Sequence, residues 1–144
     1  MCGAETSNTN DGFVVKLTCS NFDIVRSFLD RINLGLKYKV DSNVMVNAML
    51  ATGSFDLELA AIDIARSFTL LPDPISHSSS FRINLSSNNL ESCRNSQKQL
   101  RPFFHYKPDI NMVVNSFLAS GSFDDKKILE HITHSFVDIL RSKL

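Results

Sequence analysis

Tryptophan is absent from the 144-residue chain, and tyrosine occurs only as Tyr38 and Tyr106. Cysteine is sparse too. Cys2, Cys19 and Cys93 are odd in number and share no metal-ligand spacing. That argues against a disulfide framework and points to a reducing, cytoplasmic setting. The five glycines form no phosphate-cradling loop. No apolar run approaches the roughly 20 residues that cross a bilayer, so no membrane partner is expected. The polar stretch MCGAETSNTNDG reads as a flexible arm (residues 1–11) rather than a signal sequence. Neither sign of charge prevails, with 15 basic and 15 acidic residues. Residues 1–72 hold 6 Lys/Arg and 8 Asp/Glu, a net of −2, and residues 73–144 hold 9 and 7, a net of +2. This balance argues against a polyanion-binding surface on all sides and allows a local basic face.

Chemistry-bearing constellations are equally scarce. EHITH (Glu130–His134) sets His131 and His134 one turn apart, but it is not H-E-x-x-H and has no third ligand. MCG at the start lacks the glycine-rich continuation of an N-terminal-cysteine amidotransferase. No Ser/His/Asp or paired-carboxylate arrangement repeats. No catalytic residue, metal site or cofactor is therefore expected.

What the sequence does contain is a repetition. YKVDSNVMVNAMLATGSFD (Tyr38–Asp56) returns as YKPDINMVVNSFLASGSFD (Tyr106–Asp124), 68 residues on and without a gap. About two thirds of that window is identical, and about a third of the wider span from Phe13 to Phe68. The same offset places Phe13 on Phe81, Leu17 on Leu85, Asn21 on Asn89, Arg26 on Arg94 and Ile64 on Ile132. Two copies of a small fold are implied, spanning residues 12–71 and 80–144, with residues 72–79 as linker. The copies are expected to intertwine as one domain.

Each copy opens with alternation. FVVKLTCS (Phe13–Ser20) and FRINLSSN (Phe81–Asn88) predict strands, with Phe13, Val15, Leu17, Phe81, Ile83 and Leu85 inward. Ser20 or Asn21, and Asn88 or Asn89, are the expected caps of the next helix, with Asp23 and Glu91 in its first turn. The copy-two helix is interrupted by Gln97 and should stop near Arg101, before Pro102. The repeated window predicts a second helix, capped by Asp41 or Ser42 and by Asp109 and stopped at Gly53 and Gly121. A third helix starts at Asp56 and Asp124. Its apolar stripe is Leu57, Ala61, Ile64 and Phe68 in one copy, and Ile128 or Leu129, Ile132 and Phe136 in the other. A lone strand per copy leaves an unpaired edge, so the two strands should pair with each other antiparallel. The fold class is then mostly α around a two-stranded antiparallel ribbon. One chain should be the smallest folded unit, with higher-order self-association or a protein partner left open.

At YKVDSNVMVNAML the sequence resembles the ribbon–helix–helix family, whose second helix starts with a pattern like Y-K-S-x-S-E-V-V-x-x-A-L. Tyr38, Lys39, Ser42, Val44 and Ala48 match, and Met45 and Met49 match in type. Copy two keeps Tyr106, Lys107, Met112 and Val113 but has Ile110 for the serine. The duplicated form is similar to tandem proteins of that family that assist conjugative or T-DNA transfer. The resemblance implies double-stranded DNA as partner. Outward strand residues Val14, Lys16 and Thr18, and Arg82, Asn84 and Ser86, would read bases at an asymmetric site. It also implies a phosphate clamp at the second-helix N-terminus, drawing on Lys39, Ser42, Asn43, Lys107 and Asn111. Asp41 and Asp109 depart from the pattern there, because each satisfies the helix N–H groups itself and repels phosphate. From the residues alone, Arg94, Lys98, Arg101 and His105 recur at helical spacing in a stretch without acids and could follow a DNA backbone. Transcriptional repression, or accessory work at a plasmid transfer or partition site, is the expected role. A helical protein–protein adaptor without DNA binding is the alternative.

Overall fold

A computed structural model describes residues 13–69, 82–104 and 107–143. The arm and the linker expected from composition fall outside these residues, as do Phe81, His105 and Tyr106. Two four-residue strands, β1 (Phe13–Lys16) and β2 (Arg82–Leu85), form one antiparallel sheet. Six α-helices surround it among the described residues: α1 (Cys19–Leu34), α2 (Ser42–Thr52), α3 (Leu57–Thr69), α4 (Ser87–Leu100), α5 (Ile110–Ser120) and α6 (Asp125–Lys143). A 3-10 turn, Arg101–Phe103, ends α4 where Pro102 removes a backbone donor.

Counterpart residues of the two repeats face one another at two places. In the ribbon, Phe13 pairs with Leu85, Val14 with Asn84, Val15 with Ile83 and Lys16 with Arg82. Val15 thus sits opposite its own counterpart. Ser54 and Ser122 are the second such pair, each donating its N–H to the other's carbonyl at 2.9 Å. The helices cross over in the same sense. The third helix of each repeat packs on the second helix of the other, α3 on α5 and α6 on α2.

The core follows from these crossings. Val15, Leu17, Ile83 and Leu85 bury their side chains beneath the ribbon. They meet Met45, Val46 and Met49 from α2, Val113, Val114 and Phe117 from α5, and Ile64, Ile128 and Ile132 from the third helices. Fully burying a side chain of this size is worth about 1.5–3 kcal/mol, and neither repeat can bury these side chains alone.

Several local expectations are corrected. The strands stop at Lys16 and Leu85, because Thr18 and Ser86 start the helices two or three residues earlier than expected. Thr18 Oγ1 accepts the Asn21 N–H at 3.2 Å, and Ser86 Oγ accepts that of Asn89 at 3.3 Å. Asp23 and Glu91 consequently lie beyond the first turn. Phe13 is 39% exposed rather than inward, since alternation gives the face of a strand but not how far the helices reach beneath its end. Phe136 is 42% exposed for a similar reason: it lies well along α6, past the buried Ile128 and Ile132. The side chain of Phe68 lies outside the described residues.

Gly53 and Gly121 do end α2 and α5, but in extended backbone with φ of −71° and −80°. Close approach explains them better than a left-handed turn. A Cβ on Gly53 would lie 2.7 Å from the rings of both Phe55 and Phe123, and one on Gly121 would lie 2.6 Å from Phe55.

Candidate nucleic-acid interface

The ribbon is held from outside by asparagine side chains, in two equivalent sets. On β1, Lys16 N–H donates to Asn111 Oδ1 at 2.8 Å and Thr18 N–H to Asn115 Oδ1 at 3.0 Å. Asn115 Nδ2 returns a bond to Lys16 O at 2.9 Å, and Asn21 Nδ2 donates to Asn115 O and Oδ1, both at 2.9 Å. On β2, Asn84 N–H donates to Asn43 Oδ1 and Ser86 N–H to Asn47 Oδ1, both at 2.8 Å. Asn47 Nδ2 reaches Asn84 O at 2.9 Å, and Asn89 Nδ2 reaches Asn47 O at 2.8 Å and Oδ1 at 2.9 Å. Each outer strand edge is thereby closed by the second helix of the other repeat. A short ribbon would otherwise present unpaired backbone groups along both edges.

This network gives Asn43 and Asn111 a structural task, since their side-chain oxygens carry strand N–H groups. It was absent from the sequence reading, although its signal was there. Asn43, Asn47 and Asn21 all recur at the 68-residue offset, and asparagine within a helix is disfavoured unless its side chain has a specific use. Thr18 and Ser86 are helix caps past the strand ends, so their hydroxyl oxygens are turned to the backbone.

Four of the expected base-reading residues remain on the outer ribbon face. Val14 is 49% exposed, Arg82 and Asn84 are exposed, and Lys16 is half-buried. The register sets Val14 across from Asn84 and Lys16 across from Arg82. The two cations are therefore direct cross-strand neighbours.

Lys39 and Lys107 are exposed just before α2 and α5, and Ser42 is the half-buried first residue of α2. Asp41 and Asp109 occupy the helix ends: Asp41 Oδ1 accepts Val44 N–H at 3.0 Å and Asp109 Oδ1 accepts Met112 N–H at 2.8 Å. Arg94, Lys98 and Arg101 are exposed along α4 and its terminal turn. Gln97 does not interrupt that helix as expected: it is buried within it and donates from Nε2 to Pro108 O at 2.7 Å. In the first repeat Asn33 holds Val40, the counterpart of Pro108, by bonds of 2.9 and 3.3 Å.

No His, Cys, Asp or Glu cluster suited to a metal ion occurs among the described residues. Among these residues, no helix is long and apolar enough to cross a membrane. No protein-family model, curated protein or solved structure matches the chain.

Proposed function

We propose that the chain is a duplicated ribbon–helix–helix protein with pseudo-two-fold symmetry that binds double-stranded DNA through its ribbon. The observation that carries this reading is the Lys16–Arg82 pair. Like charges directly opposite each other destabilise an antiparallel ribbon left to itself. An electronegative surface set against that face reverses the sign of their contribution. The major groove provides one at a width of about 12 Å, which admits a two-stranded ribbon, and guanine O6 and N7 accept from Arg and Lys. Asn84 beside them suits adenine, and Val14 suits the thymine methyl. The two strands differ in these letters, so the target is an asymmetric site. Lys39, Lys107, Arg94, Lys98 and Arg101 supply backbone contacts. Repression, or accessory action at a transfer or partition site, fits such a protein.

A second reading has its own support. The carboxylates of Asp41 and Asp109 occupy the helix N-termini where a phosphate would sit, and Phe136, Ile139 and Leu140 are exposed at helical spacing on α6. Both features suit a protein–protein adaptor. A mobility shift on fragments of the protein's own genetic neighbourhood, at two salt concentrations, separates the two. Arg82→Ala is expected to relax preference at one guanine by about 1–3 kcal/mol. Lys98→Ala should weaken all sequences alike and lower the salt slope by about one. Unchanged affinity and preference in both Arg82→Ala and Asn84→Ala would remove the ribbon as reading head and leave the adaptor.

A further inference from the structure

Residues on α1 have counterparts 68 positions on, along α4, and at one place the two sets build opposite things. Near α1, Phe28 stands edge-on to Phe123, with ring centroids 5.8 Å apart and an interplanar angle of 77°. The Arg31 guanidinium lies over the Phe28 ring at 4.3 Å and is tied to Asp125 by bonds of 2.8 and 3.2 Å. Near α4, the counterparts of Phe28, Arg31 and Asp125 are Ser96, Gln99 and Leu57. Ile24 and Val25 are likewise replaced by the smaller Ser92 and Cys93. A cavity of about 280 Å³ opens there. Phe55, Leu57 and Phe117 give it an apolar wall, and Ser92, Ser96 and Gln99 give it a polar one.

We propose that this cavity binds a small neutral aromatic molecule of one or two rings carrying a hydrogen-bonding group. The class of occupant is read from the other half, where a phenyl ring fills the equivalent space beside the counterpart of Phe55. An apolar protein cavity of about 150 Å³ already takes up benzene, so this volume admits a larger ring system. The hydroxyls of Ser92 and Ser96 and the amide of Gln99 meet its polar group. A charged group finds no partner, because no carboxylate or cation lines the cavity, whose mouth is marked by the exposed Ser92 and Gln99. Cys93 adds no charge, since burial pushes its thiol up to about 11. The ribbon takes no part in the site, so the inference stands apart from the DNA reading.

The probe is indole, titrated into the full chain and followed by calorimetry and by amide NMR shifts. One saturable site is expected, with the largest shifts on α4 around Cys93 and Ser96. Ser96→Phe, which restores the ring of the other half, is expected to weaken indole binding by at least about tenfold and to raise the melting temperature. If Ser96→Phe does not fold, Ser92→Ile narrows the same space with another counterpart side chain and should also weaken binding. Absence of saturable binding to the wild-type chain overturns the proposal. So does binding that a folded Ser96→Phe or Ser92→Ile variant leaves unchanged.

Discussion

The space around Phe28 and the space around Ser96 are built from counterpart residues, yet one is filled and pinned and the other is hollow. The asparagine bonds that close the two strand edges, by contrast, are reproduced partner for partner. The difference shows which features shared by the two sequence repeats can be lost and which are kept. A strand edge has one requirement, a partner for each backbone group, and losing a partner leaves a desolvated donor or acceptor. A patch of side-chain packing can be emptied by degrees and the fold still persists.

The comparison can be broken first at the edges. Asn47→Ala and Asn115→Ala each remove the partner of one backbone N–H (Ser86 or Thr18) and one strand carbonyl (Asn84 or Lys16), and one acceptor of the Asn89 or Asn21 amide. Each is expected to lower stability by about 2–4 kcal/mol, and the two losses should agree within about 0.5 kcal/mol. Urea unfolding measures both, and a gap above 1 kcal/mol would show that the halves are not held alike. A smaller effect is expected from emptying the filled side. Phe28→Ser removes a half-buried ring from Phe123 and Arg31 and should cost about 2 kcal/mol, seen as a melting temperature lower by several degrees.

The smallest effect concerns the ion pair that exists on one side only. Asp125→Asn should cost less than about 1 kcal/mol, because both partners are well exposed. The sign with pH is fixed. The hydrogen bond from Arg31 holds the Asp125 carboxyl below its ordinary value. Its contribution is therefore present above the usual carboxylate range and fades as pH falls through the depressed value. Wild type and Asp125→Asn should converge in acid unfolding experiments, and Leu57, at the counterpart position, can show no such dependence.

Much of the architecture was legible because repetition is a strong signal. The offset that aligned Tyr38 with Tyr106 also gave the antiparallel ribbon, the Asp41 and Asp109 caps and the glycine stops. Helix starts were less legible. Thr18, Ser20 and Asn21 can all cap, and Thr18 does so, its Oγ1 accepting the Asn21 N–H while Asn115 accepts its own N–H. The asparagine network was hidden for a different reason. Polar identities at a repeat look like surface conservation of type until the partner strand, more than 90 residues away for Asn115 and Lys16, is brought alongside. At the candidate interface the outer face of β1 and β2 could be read from alternation. Thr18, Ser86, Asn43 and Asn111 could not, since a side chain's partner is decided by packing.

The Val15–Ile83 pairing has a further consequence, for synthesis. Residue 83 follows residue 15 by 68 positions, a delay of roughly 3–14 s at about 5–20 residues per second on the ribosome. Until β2 emerges, β1 is an edge with nothing to pair against. The apolar side of α2 waits longer still, because α6, the helix that packs on it, follows all the other described helices in the chain. The nascent first repeat thus carries Val15, Leu17, Met45 and Val46 without their final cover. That interval is the window in which chaperones, or a neighbouring nascent chain, can reach them.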